Sequence, residues 1–91
     1  MDQQRRVAVF TGSVQGVGFR FTACRLAERF DVVGHVRNRS DGAVEVVVEG
    51  APAEIDAFLG ALVDDMAGYV RHIDQQTAPA RGGMSGFTVK H

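Results

Sequence analysis

With 91 residues, 45% of them hydrophobic, the chain carries enough apolar material for one small core and too much for a disordered segment. Ten basic residues against eleven acidic ones leave a net charge of −1, without the basic excess of a general nucleic-acid binder. A single cysteine excludes an internal disulfide, and no apolar run nears the roughly 18 residues of a membrane span. The polar start, Met1-Asp2-Gln3-Gln4-Arg5-Arg6, lacks the apolar segment of a signal peptide. The expectation is a cytoplasmic, monomeric protein with one domain over residues 1–91.

Residues 5–11 are rich in Val and Phe, which predicts a strand with both faces partly covered. A loop with three glycines follows, Gly12-Ser13-Val14-Gln15-Gly16-Val17-Gly18-Phe19-Arg20. Helical spacing runs from Phe21 to Phe30 and puts Phe19, Ala23, Leu26, Ala27 and Phe30 on one stripe, with Arg25, Glu28 and Arg29 turned to solvent. Asp31 stands where glycine is the commoner cap, so a left-handed residue with a modest stability cost is expected there. Val33 to Arg39 and Val44 to Glu49 form a hairpin around Ser40-Asp41-Gly42. Alternation turns Val44, Val46 and Val48 to the core and Glu45 and Glu49 to water. Pro52 fits the first position of a second helix, whose inner stripe is Ile55, Phe58, Leu59, Leu62 and Met66. Gly60 within it suggests close packing on the sheet, and residues 65–68 end it. Val70 to Thr77 is a fourth strand, residues 78–85 a loop, and Gly86 to Lys90 a short last strand with Phe87 and Val89 inward.

The order is β-α-β-β-α-β plus a short strand. It predicts an α+β, ferredoxin-like split βαβ sandwich, with two helices on one face of an antiparallel-rich sheet. A right-handed crossover makes the first two strands parallel, so their C-terminal ends share one sheet edge. The loop from Gln15 to Arg20 and the late residue Asn38 then face one pocket.

That loop has the makings of an anion cradle. Glycines let backbone N–H groups converge without a Cβ in the way, and the helix start adds unpaired donors and a positive dipole end. Arg20 supplies a permanently charged fork that fits two phosphoryl oxygens. Taken alone, the loop is equally what a plain tight connection looks like, and Arg20 what a solvated helix-start arginine looks like. The string is neither a G-x-x-x-x-G-K-[ST] nor a G-x-G-x-x-G nucleotide motif. Arg20, Arg25, Arg37 and Arg39 gather near it and suggest a local positive field suited to a small anion. His35 is expected to pack beside the sheet, and Cys24 to be a small packed side chain in the helix. His72 and His91 are isolated, no spacing suggests a metal site, and Ser13 and Asp41 belong to no catalytic triad.

Val14-Gln15-Gly16-Val17-Gly18-Phe19-Arg20 resembles the signature of the acylphosphatase family. Gly34-His35-Val36-Arg37-Asn38, followed by Asp41-Gly42 and Val44-Glu45, is similar to its second motif, and the likeness spans roughly residues 5 to 90. The chain departs from the family pattern at Asp31, where glycine is usual, and at His35, where a large aromatic is common. The resemblance implies hydrolysis of a small-molecule acyl phosphate to a carboxylate and inorganic phosphate, without metal or cofactor. On that reading Arg20 and the amides of Gln15, Gly16, Val17, Gly18 and Phe19 bind the phosphoryl group, and Asn38 holds the water. The resemblance says nothing of the acyl group. One alternative is a non-catalytic ferredoxin-like module for an anion or a partner. A second is a carbamoyl-phosphate-handling domain of a larger protein, against which the chain length weighs. An RNA-binding module of this topology would want aromatics where Glu45, Val47 and Glu49 stand.

Overall fold

The computed structural model describes residues 2–91. Its elements follow the order β1 (Gln4–Gly12), α1 (Phe19–Ala27), β2 (Val32–Asn38), β3 (Val44–Gly50), α2 (Pro52–Asp65), β4 (Val70–Pro79) and β5 (Phe87–Val89). The strands form a sheet in the order β4-β1-β3-β2-β5. Both β1 and β2 run antiparallel to β3, which lies between them, so they are parallel to one another and end at one edge. β4 extends along the whole of β1, from Gln4↔Pro79 to Gly12↔Val70, with the register shifting at Thr11/Gly12. As an outer strand it accommodates Pro79, which has no N–H to donate.

Alternation decides what each strand buries. Ala8 and Phe10 of β1, Val36 of β2 and Val44, Val46 and Val48 of β3 point to the helix side and are fully buried. Phe19, Ala23 and Leu26 of α1 and Ile55, Phe58 and Leu62 of α2 close that core from above. Phe58 bridges the helices and the last strand, with ring centroids 6.3 Å from Phe30 and 5.2 Å from Phe87. At Gly34 the β2 backbone passes so close to β3 that a Cβ would overlap the Val47 carbonyl oxygen, and only glycine fits.

Three local expectations are corrected. Asp31 is not left-handed: among the described residues no non-glycine residue has a positive φ. The helix ends earlier, at Ala27, through a right-handed Glu28, and the Asp31 N–H donates to Glu54 Oε1 of α2 at 2.7 Å. The last carbonyls of α1 are met by tight turns instead, Leu26 accepting from the Arg29 N–H at 2.9 Å and Ala27 from the Phe30 N–H at 3.2 Å, so no left-handed residue is needed. Gly60 faces solvent and a Cβ there would meet nothing within 4 Å, so it marks no close packing. Gly60→Ala is therefore expected to stabilise the fold by about 0.5–1 kcal/mol, through the better helix propensity of alanine. A urea unfolding midpoint that does not rise would contradict this.

The third correction is Glu49, which alternation turns toward water but which is only 4% exposed. It does sit on the outer face of the sheet, where the segment leading from β4 to β5 crosses over it. Its carboxylate accepts from Arg5 Nη1 at 2.8 Å and from the backbone N–H groups of Arg81 and Gly82 at 3.0 and 3.1 Å. Burial pushes its pKa up, but these donors outweigh burial and hold it below the usual glutamate value. Glu45 follows the expectation more closely, half-buried and paired with Arg37 Nε at 2.8 Å.

Candidate active site

The chain leaves β1 through a register shift at Gly12 and is pinned by the Ser13 N–H, which donates to the Tyr69 carbonyl at 2.9 Å. Val14 drops fully into the core. Gly16 and Gly18 both adopt left-handed conformations, with φ of 79° and 80°. These two residues reverse the chain without presenting a Cβ to whatever lies above the loop. Gly18 is the N-cap of α1 and no side chain caps that end, so the first-turn amides keep their donors for another acceptor. Phe19 is buried against Phe10, ring centroids 5.0 Å apart, which anchors the helix start and fixes where Arg20 stands.

A cavity of about 420 Å³ opens over this loop, within the size range of ligand sites. Gly16, Gly18, Phe19, Arg20 and Asn38 all line it. Asn38, the last residue of β2, reaches it from the neighbouring strand end, as the crossover predicts. Gln15 and Val17 are not on the lining. Val17 packs against the core. The Gln15 side-chain amide donates to the carbonyls of Arg39 and Ala43, at 2.8 and 2.9 Å. That pair of hydrogen bonds straps the loop to the turn that follows Asn38. The spacing of Gln15 within the loop carried no sign of this, because both acceptors lie more than 20 residues away in the chain.

The expected cluster of arginines does not form. Arg37 points to the opposite face of the sheet and pairs with Glu45, while Arg39 pairs with Asp41 at 2.9 Å on the surface. Arg25 lies over the exposed ring of Phe21, 5.9 Å from its centroid. Strand alternation separates residues 37 and 38 onto opposite faces, which proximity in sequence hides. Arg20 is the one arginine on the lining. Asp41 serves the turn, accepting from the Ala43 N–H at 3.1 Å. That bond is the largest influence on its pKa and holds it down, with desolvation opposing it and Arg39 adding to it.

Sequence reasoning missed the far wall. Phe21, Cys24, Val89 and His91 also line the cavity. Phe21 falls outside the apolar stripe of α1 and is 71% exposed, a sign that was available in the helical spacing. Val89 and His91 arrive only because β5 pairs in parallel with β2, which no local pattern specifies. Cys24 is half-buried, and burial, then Glu28, raises its thiol pKa. His35 lies on the outer sheet face, where burial first and then Lys90 lower its pKa, partly opposed by Glu45. It does not line the cavity. Among the described residues no group of three or more His, Cys, Asp or Glu side chains could hold a metal ion, and no helix is long and apolar enough to cross a membrane.

Comparison with known proteins agrees across sequence and structure. The sequence profile of the acylphosphatase family matches residues 6–89. An acylphosphatase of Paenarthrobacter aurescens is 41% identical over 86 residues, covering 93% of this chain and 92% of that protein. One from Salinibacter ruber is 37% identical over 89 residues, covering 97% and 94%. The crystal structure of acylphosphatase from Bacillus subtilis superposes with a TM-score of 0.84 at 30% identity, over 98% of this chain and 99% of that one. The sandwich with two helices on one face, the glycine loop ending in Arg20 and these likenesses over nearly the full length lead to one conclusion: the chain belongs to the acylphosphatase family.

Proposed function

We propose that an acyl phosphate is hydrolysed in the cavity at the start of α1, with Arg20 and the loop amides that line it, those of Gly16, Gly18 and Phe19, gripping the phosphoryl group and Asn38 holding the attacking water. Family membership carries the overall reaction, hydrolysis of acyl phosphates. The observation that supports the individual roles is the meeting of Arg20, Asn38 and two left-handed glycines around one cavity.

The chemistry asks for little more. The leaving group is a carboxylate, whose conjugate acid has a pKa of about 4, so it departs without a general acid. Phosphoryl transfer then depends on positioning and on stabilising charge over the equatorial oxygens. Arg20 supplies a full positive charge, and the uncapped helix start supplies N–H donors on the same side. The Asn38 amide can accept from and donate to one water, orienting it for in-line attack at phosphorus. An amide is a poor base, so the proton of the water passes to a phosphoryl oxygen of the substrate. The P–O bond to the acyl group breaks, and the carboxylate leaves with that electron pair.

Phosphate release from benzoyl phosphate or acetyl phosphate, measured in EDTA, tests the reading. Turnover well above the buffer rate is expected. Folded protein that releases no phosphate would overturn it and leave a non-catalytic anion-binding module.

A further inference from the structure

The cavity lining combines two chemistries: Arg20, Asn38 and the glycines Gly16 and Gly18 are polar, whereas Phe21 and Val89 are apolar. Besides Arg20 and Asn38, the polar side chains on the lining are the Cys24 thiol and the His91 imidazole. Cys24 follows Arg20 by four residues, so it stands on the same helix face about 6 Å further along the axis. An acyl phosphate gripped by Arg20 would share this cavity with Phe21, Cys24 and Val89, the surfaces open to its acyl group.

Phe21 is distinguished among these surfaces by where it stands. Its ring is 71% exposed, one of two large hydrophobic side chains left in solvent among the described residues. It contributes nothing to the core, yet it is held in place by the Arg25 guanidinium over its face. An aromatic ring kept open on a cavity wall gains most from an apolar ligand that covers it.

We infer that Phe21 is the specificity residue for the acyl group, and that the enzyme prefers acyl phosphates with an uncharged, ring-sized apolar acyl group over acetyl phosphate. The inference rests on the hydrolase reading above for turnover, and on the cavity alone for binding. A phenyl ring offers Phe21 more apolar surface to cover than a methyl group does.

The test compares wild type, Phe21→Ala and Phe21→Leu on benzoyl phosphate and acetyl phosphate. The change in the ratio of kcat/KM between variants cancels the intrinsic reactivity of the two anhydrides. Phe21→Ala is expected to lower the benzoyl-to-acetyl ratio by about tenfold, with Phe21→Leu between it and wild type. Inhibition by inorganic phosphate should stay within about twofold, since phosphate carries no acyl group for Phe21 to touch. Calorimetry with benzylphosphonate and methylphosphonate separates the two readings. Wild-type protein should bind the benzyl compound more tightly, and Phe21→Ala should erase the difference. Equal ratios in all three proteins, or equal binding of the two phosphonates, would overturn the inference. Tight benzylphosphonate binding without turnover of either substrate would overturn the hydrolase reading and leave the apolar subsite standing.

Discussion

Asn38→Ala is expected to lower kcat on benzoyl phosphate by about 10²–10³ while changing KM little. A positioned donor or acceptor that acts in the transition state contributes about 3–4 kcal/mol, which is that factor in rate. Asn38 stands at the end of β2, half-buried, and its backbone pairs with Val44 whatever the side chain is. The fold should therefore survive the change. Arg20→Gln removes a full charge from the phosphoryl site and is expected to lower kcat/KM by about 10³ or more, and to weaken competitive inhibition by inorganic phosphate by at least about tenfold. The split between the two variants is the informative part. In the proposed roles Arg20 would stabilise charge already present on the bound substrate, so ground-state binding and rate should both suffer, whereas Asn38 would act on the water, so phosphate inhibition should hardly move. An Asn38→Ala enzyme with full kcat would remove the water-holding role, and an Arg20→Gln enzyme with unchanged phosphate inhibition would remove the phosphoryl clamp.

The second large effect concerns stability. Glu49→Gln is expected to cost about 2–3 kcal/mol at pH 7, because three donors converge on a carboxylate that an amide satisfies only in part. The folded protein holds Glu49 below its ordinary pKa, so the group contributes stability above the unfolded value of about 4.3. That contribution is lost as pH falls through the lower, folded pKa. The difference between wild type and Glu49→Gln should accordingly be large at pH 7 and shrink below pH 4 or so. Urea unfolding at the two pH values measures it, and an equal difference at both would show that charge is not the cause. The same carboxylate holds down the segment around Arg81, so trypsin should cut after Arg81 faster in the variant.

How much of this was legible depends on the range of the interactions. The two helices, the hairpin and the inward valines of β3 follow from spacing that is read within a dozen residues. Glu49 misled because alternation says which face a side chain takes, not what later covers that face. The segment over it comes from more than 30 residues downstream. Asp31 misled because α1 ends earlier, in tight turns that satisfy Leu26 and Ala27, and Asp31 itself is tied to Glu54 of the other helix. Gly60 had no partner at all, and a packing role was inferred from a residue type alone.

The site divides along the same line. The sequence by itself determined the proposed phosphoryl cradle: glycines, a helix start and Arg20 are consecutive, so their chemistry is local. It also determined that Asn38 would join them, because the handedness of a βαβ crossover leaves one arrangement. The rest of the cavity lining was decided by tertiary structure only. β5 lies parallel beside β2 and brings Val89 and His91 to the cavity across about 50 residues of chain, and the Gln15 amide straps the loop to the turn that follows Asn38. Pairing partners and register are chosen by the packing of the whole sheet, and no short pattern encodes that choice.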